Sequence, residues 1–462
     1  MGYKRYERYK DSGVEWIGEV PEGWEIKRIK HFGILNPKYS RNKNIQANTE
    51  VSFIPMDKII STGVVDYSLT NTVESLVNQY TYCENGDIIV AKVTPCFENG
   101  NIAIVKGALN GIGFGTTELH VLRCKNGYSN RFLFYYLQSH TFKHKGISEM
   151  YGAAGLKRVP TDFISNYKLG VPGYKEQQSI ANFLDQKTAE IDSLIADKEK
   201  MVQLLQEMRQ AIISEAVTEG LDKNVKMKDS GVEWIGEIPE HWEVKKIKHI
   251  SSFIGSGKTP RGGSEVYSQN GVIFIRSQNV YPQGLILDDV VFISEDINLE
   301  MKNTRVKHDD VLLNITGASI GRSSFVQKNL PNANVNQHVC IIRHVKQKVV
   351  PALLHKIVCS NSVQNQIQFI QNGTSREGLN FKQVSNLIIV IPTCLDEQVE
   401  LIKYIDKKIA EIDSLIKRVL LQIAKLQEYR QSLISEAVTG KIDVRDIGQS
   451  TEGGVQNDCN AS

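Results

Sequence analysis

Two long stretches of the chain carry a helical rhythm. After Pro172 and again after Pro392, apolar side chains recur at alternating three- and four-residue steps for some forty residues. The first seam reads Leu184, Lys187, Ile191, Leu194, Lys198, Met201, Leu205, Met208 and Ile212, seven of nine apolar. The second reads Ile405, Lys408, Ile412, Leu415, Val419, Gln422, Leu426, Tyr429 and Leu433, with the same score. Each follows a proline that suits a helix entrance and stops near a glycine, Gly220 or Gly440. A seam sustained over more than three heptads predicts a coiled coil. At about 1.5 Å per residue each rod is roughly 60 Å long, too long for one small domain to bury. Two rods in one chain pair most simply with each other; packing of each on its own globular neighbour, or a homodimer seam, are the alternatives. Between and before the rods lie short β-rich runs separated by Gly, Asn and Pro: 51–54, 87–93, 102–105, 119–123, 272–276, 311–315 and 339–343, with a short helix around 131–140. The pattern predicts mixed α/β bodies and leaves their topology open.

The chain also repeats itself. DSGVEWIGEVPEGWEIKRIKHFG at 11–33 returns as DSGVEWIGEIPEHWEVKKIKHIS at 229–251, identical at 17 of 23 positions, an offset of 218. DQKTAEIDSLI at 185–195 and EMRQAIISEAVT at 207–218 return as DKKIAEIDSLI at 406–416 and EYRQSLISEAVT at 428–439, an offset of 221. The frame of each 220-residue copy is kept while its interior has drifted. The blocks this predicts are a first domain at 1–170, a central helix at 171–222, a second domain at 223–390, a C-terminal helix at 391–445 and a disordered polar tail at 446–462.

Composition narrows the class. With 462 residues, 41% hydrophobic and 23% charged, the chain is expected to fold around two or more cores. No apolar run approaches the roughly 20 residues that span a bilayer, and MGYKRYERYK is no secretory signal, so a cytoplasmic protein without membrane contact is expected. Seven scattered cysteines with no metal-ligand spacing read as reduced thiols. The net charge of +3 hides a partition: +5 over 1–170 and +6 over 223–390, against −5 over 171–222 and −3 over 391–462. Basic bodies on acidic rods make sense if the bodies touch a polyanion and the rods do not.

Several motifs tempt and fail. Gly255-Ser256-Gly257-Lys258-Thr259 ends like a phosphate loop, but Ser252 stands where the first glycine belongs and Pro260 blocks the helix that should follow. Thr116 replaces the third glycine after Gly111 and Gly113. Asn36-Pro37-Lys38-Tyr39 lacks the second proline of a methyltransferase loop and reads as a turn. No histidine pair or carboxylate pair offers a catalytic arrangement; His120 and His338 read as structural histidines, and the Trp16/Pro21/Trp24 and Trp234/Pro239/Trp242 sets as core anchors.

Taken together, the W-I-G-E-[VI]-P-E-x-W-E start of each body, G-K-T-P-R-G-G from Gly257, F-I-R-S-Q-N-V from Phe274, N-Q-H-V-C-I-I-R ending at Arg343, G-T-S-R-E-G-L-N from Gly373 and the repeated A-E-I-D-S-L-I and R-Q-x-[IL]-I-S-E-A-V-T helices resemble the specificity subunits of type I restriction-modification systems, over about 11–445. The first body departs in detail, with T-T-E-L-H-V-L-R for N-Q-H-V-C-I-I-R and G-A-A-G-L-K-R for G-T-S-R-E-G-L-N. The resemblance implies two mixed α/β target-recognition domains separated by two long helices paired as an antiparallel coiled coil, an internal pseudo-two-fold repeat. Each domain would read one half of a bipartite, asymmetric sequence in double-stranded DNA. The implied partners are two methyltransferase subunits, which carry S-adenosylmethionine and methylate adenine, and restriction subunits that use ATP and Mg; the chain itself would hold no cofactor and no catalytic residue. A coiled-coil adaptor with non-specific DNA binding is the rival reading.

Base and phosphate contacts call for Arg, Lys, Asn, Gln and Thr in loops. The candidates are Lys258, Thr259, Arg261, Arg276, Gln278, Asn279, Arg376 and Asn380 in the second body, and Lys38, Tyr39, Ser40, Arg41, Lys157 and Arg158 at comparable places in the first.

Overall fold

The computed structural model describes residues 3–40, 45–60, 63–153, 155–372 and 378–447. The predicted disordered tail therefore lies, from 448 on, outside the described residues, as does Cys459. The chain forms two compact units, Met1–Lys198 with Leu421–Ser462, and Glu199–Leu420.

In the first unit a four-stranded antiparallel sheet has the order β1 (Gly33–Leu35), β4 (Leu119–Cys124), β2 (Ile88–Ala91), β3 (Ile102–Ile104). β2 and β3 are apolar at every position and buried at every position, as strands covered on both faces must be. One face packs on α1 (Asn130–Gln138) and, through it, on the aromatic cluster of Trp24, Phe132, Tyr136 and Phe142. The other meets a second four-stranded sheet that contains Glu50–Ile54, Ile112–Gly115 and Thr81–Glu84. Ser129 and Ser139 cap α1 and α2 (His140–Ser148) by accepting from Phe132 N and Phe142 N. Across β2 and β4, Asp87 takes two hydrogen bonds from Arg123, at 2.8 and 2.7 Å.

The second unit repeats this plan. Its main sheet runs β5 (Ser251–Ser256), β8 (Val339–His344), β6 (Val311–Asn314), β7 (Ser323–Phe325), the helix pair is α4 (Pro351–Cys359) and α5 (Asn361–Asn372), and Arg343 holds Asp310 at 2.8 Å as Arg123 holds Asp87. The expected short helix at 131–140 is therefore a helix pair in both domains, broken at Ser139 and at Ser360, both of which are buried with extended backbone.

The long helices are α3 (Tyr174–Glu219) and α6 (Leu395–Val438), each closed by a left-handed glycine, Gly220 at φ +78 and Gly440 at φ +73. Each long helix is divided between the two units, α3 after Lys198 and α6 after Leu420. In the first unit the start of α3 lies antiparallel to the end of α6: Arg430 binds Asp192 at 2.8 Å and Lys198 donates to Gln422 at 2.7 Å. In the second, Arg209 of α3 faces Asp413 of α6 at 3.4 Å. The end of α6 also completes the first domain's core with Leu433, Ile434, Ala437 and Val438, and the end of α3 completes the second with Ile213, Ala216 and Val217.

The predicted seams are half right. Leu184, Ile191, Ile405, Ile412, Val419 and Leu433 are buried and Leu205, Ile212 and Leu426 half-buried, but Leu194, Met201, Met208, Leu415 and Tyr429 are about half exposed. The real heptad takes the other flank, Thr188, Ile195, Val202 and Arg209 in α3 and Ile409, Ile416, Ile423 and Arg430 in α6. Apolarity alone does not separate the two flanks, since five of the eight positions that distinguish each are apolar, and the inward one carries the two arginines and Thr188. Yet Thr188 Oγ1 donates to Leu184 O, and the arginines are neutralised by Asp192 and Asp413, which makes these positions fit for packing.

Trp24 and Trp242, 1% and 0% exposed, lie under the helix entrances, where their indole nitrogens donate to Glu176 at 3.0 Å and Glu397 at 2.8 Å. Tyr6 also donates to Glu176, and burial beside that carboxylate pushes its phenol upward. Trp16 and Trp234, expected as core anchors, are instead 39% and 49% exposed. Of each tryptophan pair only the second reaches the core; Lys145 lies over the Trp16 ring at the surface.

Trp24→Ala and Trp242→Ala are each expected to lower stability by about 3–5 kcal/mol, read by urea unfolding. His355, buried in α4 where the first domain has Phe134 in α1, has its pKa pulled by burial from 6.5 to about 4. The unfolded chain takes up that proton first, so His355 contributes fully above pH 6.5 and its contribution is lost as pH falls toward 4. His355→Phe is expected to gain on the parent by up to about 1.4 kcal/mol per pH unit in this window, measured by unfolding at pH 7, 6 and 5.

Candidate nucleic-acid interface

One end of the main sheet collects the loops in both domains. In the first, Asn36 leaves β1 in a left-handed conformation, exchanging hydrogen bonds with Val121 at 2.7 and 2.9 Å, and 37–40 continue past that end. Tyr39 is half-buried against Tyr82 and Phe114, so its ring anchors the loop, while Lys38 and Ser40 are exposed. The chain beyond β2 is clipped to a hairpin, Tyr151–Ala153 with Leu156–Arg158: Thr94 N donates to Lys157 O at 3.0 Å and Val159 N to Lys92 O at 2.8 Å. Lys157 and Arg158 project as exposed cations, Arg158 3.5 Å from Glu118 at the start of β4. Burial, and then the charge of Arg158, lowers the pKa of Lys92 behind them. Arg41, also proposed here, lies outside the described residues.

In the second domain the same sheet end has different chemistry. The chain leaves β5 at Gly257, whose amide donates to Asn336 O at 3.1 Å; a Cβ there would sit 1.5 Å from Val335 O, so no other residue fits. Lys258 and Thr259 follow, exposed, and Arg261 is exposed on the next turn. Beyond β6, Thr316 pairs with Gly378, and Leu379 N donates to Ile315 O at 2.7 Å, as the hairpin does in the first domain. The loop 373–377, with Arg376, lies outside the described residues.

A cavity of about 420 Å³ opens between these segments, lined by Ser277, Gln278, Tyr281, Thr316, Ser319, Arg322 and His338. His338, which the sequence suggested was structural, forms part of its wall. Gln337 donates to its Nε2 at 2.8 Å, which leaves the Nδ1 proton for Thr316 Oγ1 and frees the threonine hydroxyl to donate elsewhere. Gln278 is exposed, with a contact to Asp289 at 3.3 Å.

Three predicted readers are otherwise engaged. Asn279 is 2% exposed, accepts from Arg276 N and donates to Ile286 O at 3.0 Å each, and is a turn-forming residue rather than a base reader. Arg276 is half-buried, donating to Asp289 O at 3.1 Å over the Tyr267 ring. Asn380 accepts from Gln383 N and its own amide donates to Gln383 Oε1, a capping box on the helix Phe381–Asn386. Conversely Lys92, Tyr281, Thr316 and Arg322 were missed. Only Thr316 carried a positional signal, just past the predicted strand 311–315, where a sheet places its variable loops.

The family described as type I restriction modification DNA specificity domain matches residues 21–203 and 239–425. The chain belongs to this family. It is 42% identical over 166 residues to the EcoAI specificity subunit of Escherichia coli, a match that spans 35% of this chain and about a quarter, 27%, of that protein. It is 22% identical over 431 residues to the MjaVIII specificity subunit of Methanocaldococcus jannaschii, covering 93% of this chain and 95% of that one. Among solved structures, a chain from work on complex assembly and conformational transition of the type I R-M system superposes with a TM-score of 0.71 at 15% identity, covering 92% of this chain and 99% of its own. The HsdS subunit from Thermoanaerobacter tengcongensis does so with 0.50 at 16% identity, over 92% and 98%. At such identities the superpositions show the shared two-domain fold. No helix among the described residues is long and apolar enough to cross a membrane.

Gly257→Ala is expected to cost at least about 2 kcal/mol, because a carbonyl has to move aside. Gly378→Ala, whose Cβ would meet Thr316 Cγ2 at an ordinary 3.5 Å, is the matched control and should change stability by only a few tenths. Thermal melts of the two variants separate these outcomes.

Proposed function

We propose that this chain is the sequence-reading subunit of a type I restriction-modification complex. Each domain reads one half of a bipartite, asymmetric DNA target with the loops at its sheet end. Adenine methylation and restriction belong to partner methyltransferase and restriction subunits, which bring S-adenosylmethionine, ATP and Mg; this chain supplies the address. The observation that carries the reading is the pairing of one frame with two linings. The same sheet end holds Lys92, Glu118, Lys157 and Arg158 in the first domain and Gln278, Thr316, Arg322 and His338 in the second, as expected of two readers of different bases. The apolar side chains left exposed on the long helices, Leu194 and Tyr429 in one unit and Met201, Met208 and Leu415 in the other, are surface on which methyltransferase subunits would dock. In a cell the complex would work in the cytoplasm, where the DNA is.

Sequencing of modified adenines in cells that co-express this chain with its methyltransferase subunits should return one bipartite motif. Replacing 229–390 by the matching segment of another family member should change one half of that motif and leave the other. A change in both halves, or binding that scrambled duplex competes away equally well, would favour the non-specific adaptor instead.

A further inference from the structure

Arginines in the second domain are mostly committed. Arg343 holds Asp310, Arg276 binds Asp289 O and Arg305 Nε donates to Asn298 O at 3.4 Å. Arg322 differs. Its guanidinium lies over the Tyr281 ring, 5.0 Å from the centroid, and among the described residues it makes no side-chain hydrogen bond or ion pair. Arg322 borders the cavity walled by His338 and a second one lined by Arg209, His355 and Lys356, and neither has an Asp or Glu in its lining, so nothing there neutralises the charge.

The backbone beneath it is held firmly. Asn314 N donates to Arg322 O at 2.8 Å, Arg322 N donates to Ser319 O at 3.1 Å, and Gly321 accepts from Gln364 at 3.0 Å. A planar cation on a fixed backbone, restrained by an aromatic face and short of acceptors, is a pre-organised fork. Around it stand the amide of Gln278 and the hydroxyls of Ser277, Thr316 and Ser319. Arginine presents two parallel N–H groups that match O6 and N7 of guanine in the major groove, two acceptors side by side that no other base offers there.

The matching residue in the first domain makes the contrast. Asn101 precedes β3 as Arg322 precedes β7, but its side-chain amide is spent on Ile59 O at 2.8 Å. A free cation at this position is a property of the second domain.

We propose that Arg322 is a specificity-determining residue of the second domain, reading a guanine through its major-groove edge from its seat on Tyr281. This rests on the DNA-reading assignment above and adds which residue reads, which base, and in which half-site.

The test uses the full chain assembled with its methyltransferase subunits, as parent, Arg322→Ala and Arg322→Lys. Modified-adenine sequencing gives the motif, and anisotropy titrations on the cognate duplex and on duplexes substituted at each position give affinities at two salt concentrations. Both variants are expected to relax one guanine position in a single half-site, to bind the cognate duplex roughly 5- to 150-fold more weakly, and to leave the other half-site unchanged. Lysine should keep non-specific affinity yet fail to restore discrimination, because it lacks the fork. A uniform loss on every duplex with a shallower salt dependence would mark a phosphate contact and overturn the proposal. An unchanged motif, or a domain-two half-site without a G·C pair, would overturn it equally. A parent complex with no sequence preference would instead refute the function on which the proposal rests. Arg322 is exposed, so thermal melts of both variants should match the parent and exclude misfolding as the cause.

Discussion

Each domain has a core that its own copy of the repeat cannot close, and most of the structure follows from this. The first domain buries Trp24, Phe132 and Tyr136 only with Leu433, Ile434, Ala437 and Val438 laid over them, and those residues come from the end of the second copy. The second domain draws Ile213, Ala216 and Val217 from the end of the first copy. The joint is polar as well as apolar, and the same in both units. Gln431 donates to Gln138 O and Ser435 accepts from His140 N, as Gln210 donates to Cys359 O and Ser214 accepts from Asn361 N. The helix ends are thus read by the broken helix pair of each domain, whose freed backbone groups they satisfy. This explains why the R-Q-x-[IL]-I-S-E-A-V-T segment is among the best preserved parts of the repeat.

Because the frame is paid for by burial, the sheet end is free to vary. Asp87 with Arg123 and Asp310 with Arg343 tie the same strands in the two domains, yet a few residues further on the linings share little. Exposed loop residues at the end of a rigid sheet can be exchanged at small cost in stability, whereas the buried positions below them cannot. Asn101 and Arg322 show the principle at a single position: one is consumed in holding its own loop, the other is held by an aromatic ring and left with its donors free.

The exposure of some candidate residues was legible from residue type. Lys157, Arg158, Lys258, Thr259 and Gln278 are at the sheet end, exposed, where their chemistry suggested. Asn279 and Asn380 misled for one reason: asparagine that suits a base edge suits a backbone turn or cap equally, and only the fold shows which partner it meets. Tyr39 misled in the same way, since an aromatic in a loop suits stacking on a base or edge-to-face packing against Tyr82. Arg322 carried no mark in sequence, because a free arginine and a paired one are spelled alike.

Sequence alone determined the duplication, the two long helices with their glycine ends, five of the eight strands of the main sheets and the family, because periodicity, spacing and repetition are local and additive. Which flank of each helix turns inward was decided by tertiary structure: heptad positions that hold Arg209 and Arg430 become suitable only when Asp413 and Asp192 arrive from the other helix. The same holds for Trp16 and Trp234, apolar enough for a core but left outside because Trp24 and Trp242 already fill the space under the helix entrances. Partners distant in sequence set the free energy of such groups, and a one-dimensional pattern contains no term for them.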